Sequence, residues 1–321
     1  MTRATASPHA LRCASIDVGT NTVKLLVVQQ VADRLEPLYE RAGTVRLGEG
    51  MQASGMRLRE AAMRRTLDLL DEFVAQARAQ GADPIVAVGT AALREAVNRE
   101  DFLQRARERC GLEITVISGE EEARLSYLAV RRDTLWRDCP RLVVIDIGGG
   151  STEVIHGEIG TDRIASRVSV GLGAVKLTES VLRSDPPTVR ELTAAQQQAS
   201  GALQSLEAAT GPACVVGVGG TVTTLGAMDL GGVATPEVLH GHTLSLARLE
   251  NLIALLASRT IEQRKQIPGL DPARADIILA GAILLAQALA HLHAPTIDVS
   301  TRGLRWGVLY DRCLSSSTRT V

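Results

Sequence analysis

Two short segments place an aspartate inside an apolar, strand-like run and follow it with glycines and hydroxyls. The first is IDVGTNT, Ile16–Thr22, and the second is IDIGGGS, Ile145–Ser151. Glycine has no Cβ and reaches positive φ, so such a turn can present successive backbone N–H groups to an anion. Gly19, Thr20, Asn21 and Thr22 in one copy, and Gly148, Gly149, Gly150 and Ser151 in the other, therefore read as phosphate-binding candidates. A carboxylate in an apolar strand needs a partner. Beside a polyphosphate, a hard cation with oxygen ligands serves that need. Asp17 and Asp146 are thus candidates to hold Mg²⁺, directly or through water; alternatively, each accepts N–H bonds from its own turn.

Other segments carry related chemistry. Ser118-Gly-Glu-Glu-Glu122-Ala-Arg-Leu puts three adjacent acids at a helix start, where the helix dipole favours them. Capping accounts for the run, and so does a general base, if one carboxylate faces a cleft and reaches water. Arg94, in VGTAALREA, either clamps phosphate bidentately or lies on the surface. Lys176, one turn into a helix opened by Gly171-Leu-Gly173, could meet an anion there. Val216–Thr224 is a third strand-to-glycine turn rich in hydroxyls. His240/His242 and His291/His293 lack an evident third ligand and read as turn and helix-end residues.

The elements that position these residues fall into two similar series. Strands are expected near Cys13–Val18, Val23–Gln30 and Leu35–Val45, a helix from about Arg57 to Gln80, and a strand over Pro84–Val88. Helices follow at Ala91–Ala96 and Arg99–Arg109, a strand at Leu112–Ile117, and a helix capped by Ser118 over Glu120–Arg131. The pattern then restarts with strands at Leu142–Ile147, Glu153–Glu158 and Arg163–Val170. A helix over Thr188–Leu206, a strand at Ala213–Val218, helices from Ser245 to His293, a strand at Thr296–Ser300 and a helix at Gly303–Cys313 complete it. The two aspartate–glycine segments lie 129 residues apart, which marks an internal repeat. Two α/β lobes facing a cleft are expected: residues 1–128 and 129–302, with a last helix at about 303–321 packing back on the first lobe.

Composition narrows the class. The 321 residues are 45% hydrophobic and 22% charged, as in a soluble globular protein of two domains. A net charge of −1 and only 2% aromatic residues argue against nucleic-acid binding by charge or stacking. The five cysteines form no CxxC pair, which predicts reduced thiols, an intracellular setting and no structural zinc. The start, MTRATASPHA, lacks the apolar core of a secretory signal. Ile277–Ala290 is too short to span a membrane and reads as a buried helix.

Taken in order from Cys13 to Tyr310, the segments IDVGTNTVKLLV, VGTAALREA, SGEEEARLSYLAV, VIDIGGGSTEVI, VGLGAVKLTE, GVGGTVTTL and RADIILAGAILL resemble the exopolyphosphatase/guanosine pentaphosphate phosphatase family. The resemblance implies two ribonuclease-H-like lobes of the actin-like ATPase superfamily around a central cleft. It implies Mg²⁺-dependent release of terminal phosphate from inorganic polyphosphate, or conversion of guanosine pentaphosphate (pppGpp) to ppGpp. It assigns the base that activates water to Glu121, with Glu122 its neighbour; phosphate contact to Arg94 and both glycine turns; and Mg²⁺ to Asp146 and Glu153. It further implies a cytoplasmic enzyme of the stringent response, without nucleic-acid or membrane partners, and leaves a homodimer open. A kinase or ATPase of the same superfamily and a non-catalytic polyphosphate or alarmone sensor are the rival classes. The acids of SGEEEARL favour a hydrolase over the first. The presence of Glu121, Asp146 and Glu153 opposes the second. Two departures stand out. Leu304-Arg-Trp306-Gly has tryptophan where many relatives have glutamate, and the extra C-terminal helical domains of longer members are missing, so strong processivity is not expected.

Overall fold

The computed structural model describes residues 11–158, 161, 163–206, 213–232 and 235–314. The segment read as lacking a signal peptide, and the end of the expected last helix from residue 315, lie outside these described residues.

Each half of the chain builds one mixed sheet on the same plan. In the first, β1 (Arg12–Val18), β2 (Thr22–Val31), β3 (Arg34–Thr44), β4 (Ile85–Gly89) and β5 (Ile114–Val116) lie in the order β3-β2-β1-β4-β5. In the second, β6 (Leu142–Ile147), β7 (Thr152–Gly157), β8 (Ile164–Val170), β9 (Cys214–Val218), β10 (Thr243–Ser245) and β11 (Thr296–Val299) lie in the order β10-β11-β9-β6-β7-β8. β1 pairs antiparallel with β2 and parallel with β4; β6 repeats this with β7 and β9. Strands central to a sheet covered on both faces read as continuous apolar runs, and Ile16, Val18, Val144 and Ile145 are fully buried. The register sets Asp17 opposite Lys24 in the first sheet and Asp146 opposite Glu153 in the second.

The helices cover the sheets as their apolar faces require. Glu60–Ala79 buries Met63, Leu67, Leu70 and Phe73 against the first sheet. It starts three residues later than expected, because residues 57–59 stay outside regular structure after the turns at 47–56. The apolar Ile278–His291 helix is enclosed in the second core, which explains its lack of a polar face. No helix among the described residues is long and apolar enough to cross a membrane. A helix over Gly219–Asp229 follows β9 directly, where the sequence suggested only a turn, and the three-residue β10 was not anticipated.

The Gly119–Arg131 helix spans the expected boundary at 128/129 and packs against both halves. Leu125 meets Val88, Ile117 and Val308 on one side, while Ala123, Tyr127 and Val130 meet Val144 and Ile155 on the other. The Leu304–Leu309 helix returns onto β1, β2 and this helix. Gly307 sits so close to the Leu125 carbonyl that any Cβ would collide. Trp306 is 2% exposed among Cys13, Leu26, Val28 and Ala129. Its position is one of packing.

One expectation is corrected. Cys139 and Cys214 form a disulfide with a Cα–Cα distance of 6.0 Å, while Cys13, Cys110 and Cys313 are free and buried. The pair is separated by 75 residues. Only the parallel pairing of β6 with β9 brings them together, so no spacing rule reveals it.

Candidate active site

Asp17 and Asp146 occupy the same place in their sheets, one residue before the end of the central strand. The turns that follow close identically. The Gly19 N–H donates to the Thr22 carbonyl at 3.1 Å, and the Gly148 N–H to the Ser151 carbonyl at 2.9 Å. The turns face one another closely enough that a Cβ on Gly150 would lie 2.8 Å from the Thr20 hydroxyl and 2.8 Å from Ala91. Only glycine fits there. Behind the second turn, the Ala174 and Val175 N–H groups donate to the Gly148 and Gly149 carbonyls, which anchors it to a helix start.

A cavity of about 460 Å³ opens between the two halves. Its lining includes every residue of both turns expected to bind phosphate: Gly19, Thr20, Asn21, Thr22, Gly148, Gly149, Gly150 and Ser151. Asp17 and Asp146 also line it, as do Gly219, Gly220, Thr221, Thr223 and Thr224 of the third glycine turn. Gly219, at φ +85°, is required twice over: a Cβ would be strained and would lie 2.6 Å from Asp146 Oδ1.

Three charged side chains expected at the site stand apart from the cavity lining. Glu121 does not reach the cavity. It is held by two hydrogen bonds from Arg124, at 2.8 and 2.9 Å, and this pairing lowers its pKa. Glu122 lines the cavity instead. The reason is helical geometry: Ser118 caps the helix by accepting from the Glu121 N–H at 3.1 Å, and the next residue turns about 100° further, into the cleft. Arg94 is not a cavity residue either. It donates to Glu122 at 3.0 Å and to the Ile117 carbonyl at 3.0 Å, so it orients the acid. Glu153, 1% exposed, lies behind the lining, with one oxygen accepting from Ser169 at 3.0 Å.

Burial dominates the electrostatics. It raises the pKa of Asp17, Asp146 and Glu153, the last with help from Glu122 and Asp146. Glu122 is raised to about 7, first by burial, then by Asp146, against the opposing pull of Arg94. Asp146 accepts from Ser126 at 2.9 Å, while Asp17 Oδ1 and Glu153 Oε2 are buried without a partner. Two oxygens left unsatisfied beside repelling carboxylates are the donor set a hard cation neutralises. Among the described residues, no three His, Cys, Asp or Glu side chains converge on one point. A cation here would therefore complete its shell with water or substrate oxygens.

Lys176, His240 and His242 are engaged elsewhere. Lys176 pairs with Glu95 at 2.7 Å, His240 with Asp133 and His242 with Asp229, both at 3.0 Å. Conversely, Lys24, Arg274 and Arg305 line the cavity, a placement that no motif announces. Arg274 sits inside RADIILAGAILL and donates to the Thr22 hydroxyl at 3.2 Å. A lone arginine before an apolar helix was the only available signal.

The sequence profile of the Ppx/GppA phosphatase family matches residues 26–316. The chain belongs to this family. Its relatives include exopolyphosphatase 1 of Mycobacterium tuberculosis, 32% identical over 318 residues, covering 97% of this chain and 90% of the relative. Another is a guanosine-5'-triphosphate,3'-diphosphate pyrophosphatase of Photobacterium profundum, 33% identical over 93% of this chain and 58% of the relative. The crystal structure of the Aquifex aeolicus Ppx/GppA family member superimposes with a TM-score of 0.80 at 31% identity, covering 95% of this chain and 98% of that one. The fold is accordingly the paired ribonuclease-H-like architecture of the actin-like ATPase superfamily, and the protein is a phosphatase.

Proposed function

We propose that this phosphatase is an exopolyphosphatase in which Glu122 is the general base. One observation carries the assignment: of the three adjacent acids, Glu122 alone lines the cavity, with a pKa of about 7 and its orientation set by Arg94. A base needs reach and a proton affinity near the working pH, and Glu122 has both. Glu122 takes a proton from water as the water oxygen attacks the terminal phosphorus. The bond from that phosphorus to its bridging oxygen breaks, and the chain leaves one unit shorter, with orthophosphate as the second product. The facing glycine turns and hydroxyls hold the phosphoryl oxygens in line, and Lys24 and Arg274 offset the anionic charge. Mg²⁺ fits Asp146 and Asp17, with Glu153 behind them, and when bound supplies charge neutralisation of the phosphates.

Hydrolysis of pppGpp to ppGpp is the second reading. It uses the same bond cleavage, and the Photobacterium relative favours it by its name. Phosphate release from medium-chain polyphosphate, pppGpp and ATP, each with Mg²⁺ and with EDTA, tests both. Release from polyphosphate that EDTA abolishes supports the first. Release from pppGpp alone transfers the assignment to the second. No release from either sinks both.

A further inference from the structure

The cavity does not stop at the glycine turns. It extends along the β2–β3 side over Lys24, Ala42, Gly43 and Thr44 to Glu40 and Arg305. The small side chains of β3 leave this arm open. Its outer end is unusual in pairing a well-shielded cation with an exposed anion: the Arg305 side chain is 14% exposed and that of Glu40 43%. Arg305 donates to the Leu25 carbonyl at 2.6 Å and to Glu40 at 3.1 Å, and its own carbonyl accepts from Ser15 at 3.1 Å. One edge of the guanidinium is thus fixed to the sheet. The other is held only by a carboxylate on an edge strand that water reaches. Arg305 is also near enough to Lys24 for the two cations to repel, so two cationic side chains line this arm.

We propose that Arg305 and Glu40 form an outer subsite for a phosphate anion other than the one cleaved, with Glu40 occupying the guanidinium until that anion displaces it. The proposal rests on the phosphatase reading above. A guanidinium presents paired N–H donors that suit phosphate as well as carboxylate, so the exchange replaces one ion pair by another of the same geometry. Displaced Glu40 returns to water at small cost, because an exposed ion pair contributes little. The shared chemistry is a second phosphate group on one substrate. Its source is either the following units of a polyphosphate chain or a diphosphate on the ribose of a nucleotide.

The test compares Glu40→Gln and Arg305→Gln with the parent, using tripolyphosphate, long-chain polyphosphate, GTP and pppGpp. KM is measured in the native background and Kd by calorimetry in a Glu122→Gln background. Glu40→Gln should tighten binding of the extended substrates by about threefold at low salt, the scale of one exposed ion pair. Arg305→Gln should weaken it by about tenfold, the scale of one charged hydrogen bond. A change confined to long polyphosphate over tripolyphosphate identifies the chain as the source. A change confined to pppGpp over GTP identifies the ribose diphosphate. Equal effects on all four substrates, or none, overturn the subsite. Should Arg305→Gln misfold through loss of the Leu25 contact, the exposed Glu40 variant still decides the matter. Absent turnover in the parent sinks the phosphatase reading instead, while the Kd values continue to decide the subsite.

Discussion

Replacing Glu122 by glutamine keeps its shape and its hydrogen bond with Arg94 but deletes the charge. The side chain is only 10% exposed, and burial together with Asp146 moves its pKa from 4.5 to about 7. Each tenfold change in proton affinity is worth about 1.4 kcal/mol, so ionised Glu122 costs the folded state about 3 kcal/mol. The direction follows from proton counting. Between pH 4.5 and about 7 the native protein holds a proton that the unfolded chain has released, so stability falls as pH rises through that window. Glutamine has no such dependence. The unfolding free energy of Glu122→Gln minus that of the parent should therefore grow by about 3 kcal/mol from about pH 4 to about pH 8, then level off. Urea titrations of both proteins in EDTA measure this, with equal m-values as the check that the two unfold alike. Added Mg²⁺ should shrink the difference, because positive charge favours the carboxylate. A difference that is flat in pH, or that falls, refutes the reasoning.

The same variant should lose about 10²–10⁴ in kcat in a phosphate-release assay, the usual worth of a general base, whereas Glu121→Gln stays within about twofold. The kcat/KM profile of the parent should rise with pH through a limb at or below about 7, since burial raises Glu122 that far and a bound cation pulls it back. Gly219→Ala places a Cβ at φ +85° and 2.6 Å from Asp146 Oδ1. Thermal melts should show a loss of about 1–3 kcal/mol from backbone strain alone, with activity falling as Asp146 shifts. Trp306→Ala empties a core site and should cost about 3–5 kcal/mol in denaturant titrations. Trp306→Glu, which puts a carboxyl into this core, should be no less damaging.

What the sequence disclosed was local. Both aspartate–glycine turns, the repeat that relates them and the Ser118 cap are written in contiguous residues, and each stands where it was expected. The choice between Glu121 and Glu122 was not legible. Adjacent helical residues differ by about 100° in direction, and which one faces the cleft depends on Leu125 and Ala129 packing against the first half while Tyr127 and Val130 pack against the second. Arg94 had the chemistry of a phosphate ligand, but a buried carboxylate that needed a counter-charge claimed it first. Arg274 and Arg305 reach the cavity from segments more than 250 residues from the first turn, and the Cys139–Cys214 bridge closes across two strands. Such encounters are properties of the assembled sheets.

The register pairs hold one more consequence. Lys24 stands opposite Asp17 at the position where Glu153 stands opposite Asp146. The two turns, alike in backbone, therefore differ in the side chain paired with the aspartate: a cation lines the cavity beside Asp17, and a buried acid backs Asp146. On the exopolyphosphatase reading proposed above, the body of a phosphate chain lies toward Lys24 and its tip toward Glu122. On that reading the duplicated cleft has a head and a tail, as attack on chain ends, and not on interior bonds, requires.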